Sequence, residues 1–237
     1  MQTSPTILRT LDTRIGFWAA IGVTIASFGF LISLMLTFVI FPMSFTWPGI
    51  DAYVSTFNEH YWQVLAFTIP CFLIAPTYLI MSLCLYRFVP EEKKILGLLG
   101  IAFAIPYLAQ ITQNYFLQMS AIPQNIQSGL LDGVTLYAFG NFNSIFWSME
   151  VLGYTWLCVS LICFGLLFKG GKTETAIKWI FIVNGVLGVI APIQAVAHLD
   201  FGGPCALVLF AFTFPVSTLL IALLYHKAKK TGTMPLA

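Results

Sequence analysis

Tyr107, Gln110, Asn114 and Gln118 recur at the three- and four-residue spacing that puts side chains on one helix face, inside an otherwise apolar stretch. Further along, Glu150 and Tyr154 stand one helical turn apart in a second apolar stretch, and His198 and Asp200 follow a third. Amides cost several kcal/mol in hydrocarbon unless they are hydrogen-bonded, so this face must meet protein or water rather than lipid. An ionisable residue in such a segment is a functional candidate by default, which singles out Glu150. A carboxylate among amides with an imidazole at hand could bind a neutral or cationic molecule, relay protons, or act as an acid–base pair. A structural reading stands beside these, in which Glu150 reaches interfacial water or is hydrogen-bonded to a neighbouring amide.

Metal chemistry has the donor types but not the pattern. Glu59, His60, Glu150, His198 and Asp200 are carboxylates and imidazoles of the kind that hold hydrolytic zinc, yet no HExxH or comparable spacing occurs. Walker, G-x-S-x-G and haem-attachment motifs are also missing from the sequence, so no metal or cofactor is expected. Five cysteines, Cys71, Cys84, Cys158, Cys163 and Cys205, lie within or at the edges of apolar segments with no CxxC pair. They read as small packing residues.

The elements that must position these groups follow from composition. The 237 residues are 59% hydrophobic and 8% charged, against about 25% charged in a soluble domain. Too little polar surface is available to cover a water-soluble globule. A bilayer core about 30 Å thick needs about 20 apolar helical residues, and six segments qualify, at 15–41, 62–86, 95–119, 145–168, 176–197 and 205–225. The first is too long for the apolar core of a cleaved signal and reads as a retained span. The expected fold is therefore an all-α, polytopic membrane bundle forming one domain over 1–237.

Charge gives this bundle a direction. All eleven Lys and Arg, from Arg9 and Arg14 through Arg87, Lys93, Lys94, Lys169, Lys172 and Lys178 to Lys227, Lys229 and Lys230, fall on one side of six alternating spans. The positive-inside rule then puts both termini in the cytoplasm of a cell membrane, with a bacterial inner membrane as the expected location. A net charge of +2 gives no argument for nucleic-acid binding. Gln110, Asn114, Gln118, Glu150, Tyr154 and His198 then all belong to the outer half, where they would line an outward-facing polar vestibule. No Lys or Arg falls within it, which disfavours an anionic ligand. The apolar centre of the second outer segment, 126–139, is expected to lie on the membrane or dip into it.

Small residues show where helices can approach. Ala19, Gly22, Ala26, Gly29, Ser33 and Thr37 keep within an arc of about 80° on the first span, and Asn184, Gly188, Ala191, Ala195 and His198 share a face of the fifth. Such seams pack other helices of the chain, a second copy or a membrane-protein partner. Pro70, Pro76, Pro106, Pro192 and Pro215 interrupt the spans, and the carbonyls they free must find other donors.

The stretch from Asn143-Ser144-Ile145-Phe146-Trp147-Ser148-Met149-Glu150 to Tyr154, the basic turn ending in Lys178-Trp179, and Asn184-Gly185-Val186-Leu187-Gly188 with Pro192 resemble a family of small, six-helix bacterial integral membrane proteins classed as a domain of unknown function. The resemblance in helix order covers most of the chain, and its motifs lie in the fourth and fifth spans. It implies a six-span membrane fold and assigns no activity to any residue. Three functions stay open on the sequence: binding or transport of a small neutral, cationic or lipid-like ligand, an intramembrane enzyme using Glu150 and His198, and a structural or regulatory subunit docking through the first-span seam.

Overall fold

The computed structural model describes residues 5–40, 47–197 and 203–231, together with 234 and 236. Lipid offers the backbone no hydrogen-bond partners, so a chain this apolar satisfies its own amides in helices. Helix α1 covers Pro5–Ile40, α2 Ile50–Glu59, α3 Tyr61–Tyr86, α4 Lys94–Met119, α5 Ala121–Gln127, α6 Val134–Tyr137, α7 Ile145–Gly165, α8 Lys172–Ala197 and α9 Gly203–Thr231. Six of these, α1, α3, α4, α7, α8 and α9, contain stretches long and apolar enough to cross a membrane. The chain is an all-α integral membrane protein. Its helices overrun the apolar windows, as where α9 continues through Lys227, Lys229 and Lys230. Basic side chains in a last turn favour the helix dipole, so the helix persists beyond the lipid-like segment.

The six long helices close a ring: α1 packs on α3 and α9, α3 on α4, α4 on α7, α7 on α8, and α8 on α9. The centre of this ring is filled. Tyr78 of α3 meets Tyr107 of α4 and Phe214 of α9, while Tyr154 of α7 meets Tyr107 and Phe210, with ring centroids 5.8–6.2 Å apart. Helix α8 is the least buried of the six spans.

The first-span seam is used within the chain. A Cβ built on Gly22 would come within 3.1 Å of Thr77, and one on Gly29 within 3.2 Å of Pro70, both on α3. Ser33 donates to the Ala66 carbonyl at 2.8 Å. That carbonyl is the one Pro70 deprives of its usual amide four residues on, so α1 repairs the helix break that α3 carries. At Gly22, Gly29 and Ser33 the seam is thus occupied by α3. On the fifth-span face, α8 lies so close to α7 that a Cβ on Gly188 would strike the Cys158 side chain. Thr155 of α7 points its hydroxyl 3.4 Å from the Gly188 carbonyl, which Pro192 frees.

The two ends of the bundle differ. At the basic end, Arg87 Nε donates to Asp12 Oδ2 at 3.2 Å, tying the start of the bundle to the α3–α4 turn, and Phe168 pairs with Leu236 by a backbone bridge. Asp12 and Leu236 thus both lie on this basic face. At the opposite, loop face, α2, α5 and α6 form a cap with its own core of Phe57, Ile122, Ile126, Val134 and Ala138. Within 126–139, Ile126, Val134 and Ala138 are spent on this cap, while Leu130 and Leu136 are exposed.

Candidate functional site

Glu150 enters on α7 five residues after its start, about 8 Å along the axis at 1.5 Å per residue. It is 8% exposed. Asn114 Nδ2 donates to Glu150 Oε2 at 2.9 Å and to the Phe146 carbonyl at 3.1 Å. The Tyr115 hydroxyl donates to Glu150 Oε1. Both donors come from α4, so this carboxyl stitches α4 to α7. Because both neighbours of Asn114 Nδ2 are acceptors, the amide orientation is determined by its surroundings. Its Oδ1 is then left buried with no hydrogen-bond partner among the described residues. The Cys71 thiol of α3 and the Tyr154 hydroxyl lie beside the Tyr115 hydroxyl. No Lys, Arg or His among the described residues forms an ion pair with Glu150.

The remaining sequence candidates divide. Gln118 serves the cap: its Nε2 donates to the Tyr137 carbonyl at 2.8 Å, and its Oε1 accepts from Phe139 N at 3.3 Å. Trp147 Nε1 reaches the Phe139 carbonyl at 2.7 Å, so two bonds from α4 and one from α7 hold the segment that closes the loop face. Gln110 is half-buried with its Cγ 3.8 Å from where a Gly153 Cβ would stand. Tyr154 turns its ring into the aromatic centre. His198 and Asp200 lie outside the described residues, as does the side chain of Cys205. Asn114 and Glu150 are thus in direct contact, with Tyr154 adjoining them and Gln118 in the layer above.

Tyr115 and Cys71 belong to this cluster and were not among the sequence candidates. The available signal was weak: Tyr115 lies two turns from Tyr107 with Ile111 between, and a buried tyrosine hydroxyl usually finds a partner. Nothing in the spacing says that the partner is Glu150.

A second polar spot lies between α8 and α9. Asn184 is buried, and Thr213 Oγ1 stands 3.0 Å from its Oδ1 and 2.7 Å from the Leu209 carbonyl. One hydroxyl proton cannot serve both acceptors fully, so among the described residues Asn184 keeps one unmet amide atom whichever way it is turned. A recess of about 210 Å³ adjoins it, lined by Trp179, Ile180, Val183, Asn184, Leu209 and Thr213. A wider recess of about 540 Å³ sits at the α7–α8 turn around Gly171, Lys172 and Thr175. Neither touches Glu150. Among the described residues no three of His, Cys, Asp and Glu come together as metal ligands would.

No protein-family model, curated protein sequence or solved structure matches this chain.

Proposed function

We propose that this integral membrane protein binds or transports a small ligand that carries a positive charge or hydrogen-bond donors, with Glu150 as the recognition group in the half of the bundle near the loop face. The observation that carries this reading is the unbalanced chemistry around Glu150. The carboxyl oxygens and Asn114 Oδ1 are acceptors, and among the described residues Oδ1 is buried without a partner and no cation is paired with the carboxyl. An ionisable residue within a span is costly in lipid unless it is partnered. Packing alone is served as well by apolar residues, so the retained carboxyl suits a ligand that supplies what the protein does not. Entry from the loop face requires the cap held by Gln118 to move. We read the basic face as cytoplasmic and the host as a cell membrane, because the basic residues gather there.

The test uses purified protein in detergent, heated against alkylamines, quaternary ammonium ions and uncharged amides and polyols. At least one class raises the unfolding midpoint of the wild type, and Glu150→Gln and Asn114→Leu each remove that gain. A wild type indifferent to every class, or a gain kept by both variants, refutes the reading.

A further inference from the structure

Polar groups do not stop at Glu150. Tyr78 on α3 and Ser160 on α7 join across the bundle centre at 2.8 Å, and Ser160 donates to the Gly100 carbonyl of α4 at 2.6 Å. Since the single Ser160 proton points at that carbonyl, Tyr78 is the donor between the two hydroxyls. Ser160 is ten residues beyond Glu150 on α7, which is about 15 Å nearer the basic face and half of a bilayer core. Ser82, whose buried hydroxyl has no hydrogen-bond partner among the described residues, lies near the Tyr78 hydroxyl and is four residues from the end of α3, about 6 Å of helix.

Tyr107 stands between the two hydrogen-bonded groups. Its ring is 5.8 Å from that of Tyr154 above and 6.1 Å from that of Tyr78 below. It is 0% exposed, and its hydroxyl has no partner among the described residues. A buried hydroxyl left unpaired costs about 1–3 kcal/mol, and phenylalanine would fill the same space without that cost. Like the buried Ser82 hydroxyl, the Tyr107 hydroxyl is a group that a purely structural core does not explain. One water beside it would join the Glu150–Tyr115–Tyr154 group to the Tyr78–Ser160 group.

We propose that Glu150 exchanges its proton with the basic face through this hydroxyl column, with Tyr107 as the joining residue, so that occupancy of the site is linked to protons from that side. In each step one O–H bond breaks as the next forms. No tyrosine keeps a net charge, and no electron moves. Among the described residues the groups facing Glu150 are Cys71 from α3, Asn114, Tyr107 and Tyr115 from α4, and Tyr154 from α7, none of them a cation. This inference rests on the reading of Glu150 as the functional group, but its test requires no ligand.

Full-length protein is reconstituted in vesicles, oriented by a C-terminal tag, with the pH of each side set separately. Dicyclohexylcarbodiimide, which attacks protonated carboxyls in apolar surroundings, is the probe, and labelling at Glu150 is read by mass spectrometry. In the wild type, labelling falls as the basic-face pH rises, by up to roughly tenfold per unit above the carboxyl's midpoint. Tyr107→Phe removes that dependence while its thermal midpoint stays equal or rises, and Tyr53→Phe in the cap leaves it intact. Labelling that follows only the loop-face pH, an undiminished response in Tyr107→Phe, or no labelling of wild-type Glu150 at any pH overturns the proposal. Loss of ligand stabilisation with sided labelling preserved would overturn the ligand reading alone.

Discussion

Removing the two donors that serve Glu150, and then the carboxyl itself, separates what the cluster does for stability from what it does for function. Asn114→Leu with Tyr115→Phe strips the carboxyl of both side-chain hydrogen bonds. Bonds to a charged group contribute about 1.5–3 kcal/mol each, so the double variant should lose roughly 3–6 kcal/mol if the carboxyl is ionised, and about half that if it is neutral. Adding Glu150→Leu converts the site to apolar residues of similar size. Buried polar clusters replaced as a whole are often neutral or stabilised, so the triple variant should return to within about 1 kcal/mol of the wild type. Unfolding in mixed micelles under increasing SDS measures this, with fluorescence of Trp147, packed on Phe146 one turn before Glu150, as the reporter. The expected order is wild type near triple, both well above double, with ligand stabilisation lost in the triple. A triple variant less stable than the double would refute the argument, because the carboxyl would then be supporting the bundle by itself.

Two further outcomes test the scaffold. Ser33→Ala should cost about 0.6–1.7 kcal/mol in the same assay, but close to nothing when Pro70→Ala restores an amide for the Ala66 carbonyl. Equal costs in both backgrounds would refute the repair of α3 by α1. Gln118→Leu should loosen the cap and speed proteolysis within 120–144 of protein whose spans remain intact in micelles. Unchanged cleavage there would show that the bonds to Tyr137 and Phe139 do not hold the loop face.

Much of the architecture was readable before the fold was known. Hydrocarbon thickness sets a length that six segments meet, and all six carry long helices in the structure. The amide face of the third span and Glu150 on the fourth were picked out because each is costly in lipid without a partner. Asn114 and Glu150 do partner each other. The fate of Gln118 was less visible, since its length suits either a vestibule or a clamp, and only the position of the Tyr137–Phe139 backbone decided for the clamp. The small residues of α1 marked a close approach without naming the helix that makes it.

Sequence by itself determined the all-α membrane class, the number of apolar spans and the side on which basic residues gather, because bilayer thickness and charge cost act on each segment separately. Tertiary structure decided that Tyr115 joins Asn114 at Glu150, and that Tyr78 and Ser160 meet across the centre with the Tyr107 hydroxyl above them unpartnered among the described residues. Those pairings depend on how far each helix is rotated and slid against its neighbours. Packing of the whole ring sets those two quantities, and no single segment encodes them.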